Sequence, residues 1–224
     1  MSRKQAPPAE PNRKRKAPAR GRPKDQDKRA AMLEAAKHLF ASDGLESTSM
    51  DAIARRAGVS KVTLYSHFSD KDALFSEAVQ QVCRAYTPAT HYQLDAGQNL
   101  RERFLLIAEG FFELVVSDQA LNLCRLMAGN PDRHRKLSTL FWQVGPQKTI
   151  ALLAGLLEAA TCSGELDVPE PSEAASQFFC LIQGHFHLQL LVGAADAVPA
   201  QERRRHIEAA VDLFLRAYAV RRAI

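Results

Sequence analysis

From about residue 25 almost to the C-terminus, apolar residues recur at intervals of three and four. That spacing gives each segment one apolar helical face, and no stretch alternates as a half-buried strand would. The pattern predicts an all-α chain. Pro88, Pro131, Pro146, Pro169, Pro171 and Pro199 fall at the expected breaks. Leu33, Ala36, Leu39 and Phe40 predict a first helix over about 25–42, with Gly44 as its stop.

The next segment carries the most local information. Thr48-Ser49-Met50-Asp51 fits a capping box ahead of a short helix over about 49–56. Ala57-Gly58-Val59 predicts a tight turn, with Gly58 free to take positive φ. Ser60 caps a second short helix over about 61–67, and Ser69-Asp70-Lys71-Asp72 opens a longer one holding Leu74, Phe75, Ala78, Val79 and Val82. Two short helices joined by a Gly-containing turn make a helix-turn-helix, whose second helix lies in the DNA major groove.

The side chains suit that placement. Lys61 and the backbone N–H groups after Ser60 face phosphate, Thr63 reads a base edge or a thymine methyl, and Tyr65 and His67 reach sugar-phosphate or bases. Val62 and Ser66 complete that surface, while Leu64 and Phe68 are its inward anchors. Thr48 and Ser49 are placed to donate to phosphate before the first short helix, and Lys71 at the start of the following helix.

This block resembles the N-terminal domain of the TetR family of bacterial transcriptional regulators. The resemblance rests on Asp51-Ala-Ile-Ala-Arg-Arg-Ala-Gly58-Val-Ser60-Lys61-Val-Thr-Leu-Tyr65-Ser-His67-Phe68-Ser-Asp-Lys71-Asp-Ala-Leu74-Phe75. It covers about residues 25–80 and implies that Thr48, Lys61, Thr63, Tyr65, His67 and Lys71 contact DNA. Val62 stands where that family often has Gly or Pro, and Ser66 where it often has an aromatic. Further on, Arg125-Leu-Met-Ala-Gly-Asn130 and Phe141-Trp-Gln-Val-Gly-Pro146 are similar to an AefR-like subgroup.

Charge adds a second element. The chain of 224 residues has formal net charge +5, and nine basic residues against Glu10 give residues 1–24 a net +8. The body is therefore mildly acidic, and residues 1–24, poor in large apolar side chains, read as a disordered basic arm. Arg20-Gly21-Arg22-Pro23 resembles an AT-hook core, which makes Arg20 and Arg22 candidates for the minor groove. No apolar run is long enough for a membrane span and no secretory signal is present, so the expectation is a cytoplasmic protein. Cys83, Cys124, Cys162 and Cys180 lie far apart and are expected as free thiols.

The remaining chain shows helices and no catalytic or cofactor motif, so an enzyme and a bound cofactor are not expected. His185 and His187 are two apart and diverge by about 200° on a helix, which argues against a shared metal. The expected organisation is the arm, a reading head over 25–71, and a sensor and dimerisation body over 72–224. A pocket for a small apolar effector is expected among Phe104, Ile107, Phe111, Met127, Phe141, Trp142, Phe178 and Phe179, with Gln183 and His187 as polar anchors. A helix over about 172–192 is apolar on most sides, and the last helix carries one clean stripe. Their residues Phe186, Leu190, Ile207, Val211, Phe214, Leu215 and Tyr218 are the expected homodimer face. The expected function is a ligand-responsive repressor that binds a palindromic double-stranded DNA operator as a dimer. A ligand-independent architectural binder and an enzyme carrying a DNA-binding head are the alternatives.

Overall fold

The computed structural model describes residues 22–93 and 99–220, with side chains from residue 25 onward. Among these residues the chain is all-α. The helices are α1 (Arg22–Ser47), α2 (Met50–Arg56), α3 (Lys61–His67), α4 (Lys71–Tyr86), α5 (Leu100–Val115), α6 (Asp118–Gly129), α7 (Arg135–Val144), α8 (Pro146–Cys162), α9 (Pro171–Gln183), α10 (Phe186–Leu191) and α11 (Ala200–Ala217), with a 3-10 turn at Ala89–Tyr92.

α1 begins at Arg22, inside the stretch read as arm; residues 1–21, Arg20 included, lie outside the described residues, as does the Arg22 side chain. The chain leaves the helical path at Gly44 (φ 79°, ψ 167°), then makes a last turn to Ser47. Only glycine adopts that φ without strain, so the stop expected at Gly44 is a kink. A Cβ there would also lie 3.2 Å from the ring of His134, a buried residue just before α7.

Two apolar clusters organise the molecule. In the first, Met32, Leu33 and Phe40 of α1 meet Ile53 of α2, Leu64 of α3, and Leu74 and Phe75 of α4. Leu137 of α7 joins them, and Leu123, Leu126 and Met127 of α6 pack against them. In the second, α5, α8, α9 and α11 surround a triangle of rings: Phe104–Phe178 at 5.3 Å, Phe178–Phe214 at 5.0 Å and Phe104–Phe214 at 5.6 Å between centroids. The α4 residues that follow the reading head in sequence thus belong to the head's core.

The helix expected over 172–192 is broken at Gly184 (φ 53°) into α9 and α10. The His206 ring of α11 sits where a Gly184 Cβ would be, and its Nε2 donates to the Ile182 carbonyl at 3.0 Å. The break changes which neighbours the apolar residues meet. Phe186, Leu190, Ile207, Val211 and Phe214 are buried inside the protomer, and Leu215 and Tyr218 pack on the same core. The stripe assigned to a partner subunit is covered by α5 and α9 of its own chain. Periodicity reports that a face must be covered, and the covering here is intramolecular.

Candidate nucleic-acid interface and the adjoining cavity

The reading unit is built from local hydrogen bonds. Ser49 caps α2, its side chain accepting from the Ala52 N–H at 3.1 Å. Ser60 caps α3 by accepting from the Thr63 N–H at 3.1 Å, and its hydroxyl meets that of Thr63 at 2.8 Å. Asp70 caps α4 by accepting from the Ala73 N–H at 2.8 Å. That bond, helped by the Ser69 hydroxyl, holds the Asp70 carboxyl below its ordinary value. Two of these caps fall one residue later than Thr48 and Ser69, the first residues of the boxes in the sequence. Between α2 and α3, Gly58 takes φ 66° while the Gly58 and Val59 N–H groups donate to Arg55 and Ala54 carbonyls.

Seven residues make too short a helix to stand alone. Leu64, fully buried, and Phe68 pin α3 onto the head, with the Arg29 guanidinium 5.3 Å above the Phe68 ring. The opposite face is open. Val62 is 80% exposed, and Lys61, Tyr65 and Ser66 are exposed beside it. Thr63 and His67 are half-buried. His67 Nε2 lies 3.1 Å from Asp25 of α1. Lys61 pairs with Asp51 of α2 at 2.9 Å, and the hydrogen bond between them raises the Lys61 pKa, keeping it cationic.

Ser49 is exposed at the start of α2. Thr48 is not: it is 3% exposed, and its hydroxyl donates to the Gly44 carbonyl at 2.7 Å, with Leu39 O at 3.2 Å. That hydroxyl closes the α1–α2 corner instead of facing outward. Lys71 Nζ donates to the Glu46 carbonyl at 3.2 Å on the same corner. Arg133, from the turn before α7, donates to Ser47 Oγ at 3.0 Å and joins the body to that corner.

A cavity of about 360 Å³ lies where head and body meet. Phe40 of α1 and Phe75, Val79, Val82 and Cys83 of α4 wall one side, and helices α5 to α10 supply the rest. Of the expected pocket residues, the fold brings Phe111, Phe141, Trp142, Phe179, Gln183 and His187 to the wall. Phe104, Ile107 and Phe178 are core residues outside it, and Met127 packs against the head. The lining also includes Cys83, Cys124 and Cys180, and burial pushes the Cys83 and Cys124 thiols up from their ordinary value. Sequence reasoning missed the α1 and α4 side of the wall because it treated Phe75 and Val79 as head packing only.

Among the described residues no cluster of His, Cys, Asp and Glu is arranged to hold a metal ion, and no helix is long and apolar enough to cross a membrane.

Residues 32–78 match the family described as bacterial regulatory proteins, tetR family, and residues 102–220 match the C-terminal domain of AefR-like transcriptional repressors. The HTH-type transcriptional activator FasR of Mycolicibacterium smegmatis is 34% identical over 96 residues, which is 43% of this chain and 43% of FasR. The chain thus spans less than half the length of that curated relative. Solved structures match more fully. The flavonoid-responsive regulator FrrA is 34% identical with a TM-score of 0.68, over 88% of this chain and all of that one. A TetR-family regulator from Mesorhizobium loti is 28% identical with a TM-score of 0.70, over 88% of this chain and 98% of that one. With the helix-turn-helix in place and both halves matched, the chain belongs to the TetR family of bacterial transcriptional regulators and is a DNA-binding regulator.

Proposed function

We propose that the protein is a ligand-responsive repressor that binds a palindromic operator as a homodimer and leaves it when a small aromatic effector fills the cavity. One observation carries this reading: the cavity is walled on one side by α1 and α4, the helices that hold the reading unit, and on the other by the body. A ligand there touches both parts at once. Residues 25–71 act as the head, residues 72–224 as the sensor and dimerisation body, and α4 belongs mechanically to both.

Exposed Val62, Tyr65 and Ser66 of α3 read bases, and Ser49, Lys61 and Lys71 hold phosphates. The basic arm adds electrostatic attraction in the cytoplasm, where the chromosome lies. The dimer forms through the outer face of α8, where Ala151, Leu152, Gly155 and Ala159 are exposed and Leu152 keeps 40% of its surface open. Small residues on that row allow a partner helix to approach closely. The direction of control follows the AefR-like repressor match, and the effector class follows the flavonoid-responsive FrrA.

The test is operator binding by fluorescence anisotropy with and without a flavonoid such as naringenin, alongside naringenin binding with and without operator. Each weakens the other by one common factor if the reading is right. Equal ligand affinity for free and DNA-bound protein overturns it.

A further inference from the structure

We propose that the effector is a neutral aromatic molecule with a hydroxyl group, and that this hydroxyl donates to Nε2 of His187. The inference rests on the cavity being the effector site and goes on to assign its chemistry.

His187 lies on α10, lines the cavity and is half-buried. Its Nδ1 is 3.0 Å from the carbonyl oxygen of Val115, the last residue of α5. Carbonyls in the last turn of a helix lack partners in their own ladder, so an imidazole N–H caps this one. A carbonyl oxygen only accepts. Nδ1 therefore carries the hydrogen, and the neutral ring is left with Nε2 as a bare acceptor. The α5 C-terminus thus sets the tautomer and with it the polarity that a ligand meets.

The other walls narrow the class. Among the described residues no carboxylate lines the cavity, so none of them offers an anion to receive a cation. Among the described residues Lys37 is the one lysine or arginine of the lining, and it pairs with Glu34 at 2.7 Å. Thr149 donates its hydroxyl to the Gly145 carbonyl at 3.1 Å. Gln183 and Gln119 carry both donor and acceptor atoms, so they do not distinguish a hydroxyl from a carbonyl. His187 does distinguish them: a ligand carbonyl or ether oxygen would set a lone pair against Nε2. Phe111 and Phe179, with ring centroids 4.4 Å apart, and the adjacent Phe141 and Trp142 supply aromatic walls for a flat ring.

The test is a matched pair of probes, 4-phenylphenol and its methyl ether 4-methoxybiphenyl, titrated into the full chain. Trp142, the only tryptophan of the chain and part of the wall, reports binding by its fluorescence, and calorimetry gives the affinities. The wild type is expected to bind the phenol at least about tenfold more tightly, because the ether leaves a buried acceptor unmade. His187→Phe keeps the aromatic shape and is expected to bind both probes equally. Equal affinities in the wild type, which needs no variant, overturn the assignment; so does a phenol preference that survives His187→Phe. Failure of both probes to bind at all overturns the effector-site reading itself, and this inference with it.

Discussion

The crossing of α4 and α5 at Gly110 permits a sharp prediction, because two ordinary effects of Gly→Ala oppose each other there. Gly110 lies inside α5, and a helix interior favours Ala over Gly by about 1 kcal/mol. At an unconstrained site the substitution would stabilise the protein. Here a Cβ would fall deep inside van der Waals contact with the carbonyl oxygen of Tyr86, the last residue of α4. The clash is with backbone, which cannot rotate away, so the two helices must separate by roughly 1 Å or more. Their surroundings resist that movement. Thr87 binds the Cys83 carbonyl through both its N–H and its hydroxyl, each at 2.8 Å. Buried Arg103 of α5 donates to the Thr90 and His91 carbonyls at 3.1 and 3.3 Å, which ties the segment after α4 to α5. Overpacking of this kind costs about 1–3 kcal/mol, and a backbone clash belongs in the upper half of that range. The net for Gly110→Ala is a loss of about 1–2 kcal/mol, or a fall in Tm of about 2–8 °C for a chain of this size. Because α4 carries the head, operator affinity falls with it. Differential scanning calorimetry and operator titration measure the two effects; an unchanged or raised Tm refutes the close-crossing argument.

Four further outcomes follow from the same geometry. Leu64→Ala removes the buried anchor of α3, and is expected to cost about 2–5 kcal/mol in urea unfolding and to abolish operator binding. Asp51→Asn frees Lys61 from its ion pair without touching the core, so thermal stability stays and the salt dependence of operator binding steepens by about 0.9 in log–log slope. Deleting residues 2–21 leaves α1 intact and flattens that slope by about 0.9 for each phosphate the arm holds; an unchanged slope removes the arm from the interface. The Asp70 carboxyl is held below its ordinary value by the Ala73 N–H, so its folded pKa lies below its unfolded one. Its contribution is complete above the usual carboxylate range and is lost as pH falls through the folded value. Melting curves between pH 6 and pH 2 are therefore expected to fall less steeply for Asp70→Asn than for the wild type.

The local features of the head were readable because their physics is local. The Ser60 cap, the Gly58 turn and the inward placing of Leu64 and Phe68 depend on residues within a few positions of one another and are found in the structure, while the caps of α2 and α4 fall one residue later, at Ser49 and Asp70. The same reasoning failed for Thr48. As a short polar residue beside a helix start it reads as a phosphate donor, yet its hydroxyl turns in to the Gly44 carbonyl, which the kink at Gly44 places within reach and which also accepts the Thr48 N–H. It failed again for the aromatic residues of the body. Phe178 and Phe179 are neighbours in sequence and both buried, but Phe179 lines the cavity and Phe178 does not.

The sequence by itself therefore determined that the chain is all-α, that a helix-turn-helix lies near its N-terminus, and that its family is TetR. The first two follow from periodicity and capping, which are properties of short segments; the family rests on the resemblance that the Asp51–Phe75 block carries. Only the tertiary structure decided what covers the last helix, which residues share the cavity, and that Lys61 meets Asp51 ten residues away. Those outcomes depend on which faces of distant helices meet. Phe40 and His187 line one void although 147 positions separate them, and Arg101 of α5 binds Asp212 of α11. An apolar stripe reports that water must be excluded from it, but its covering is chosen by the packing of the whole chain.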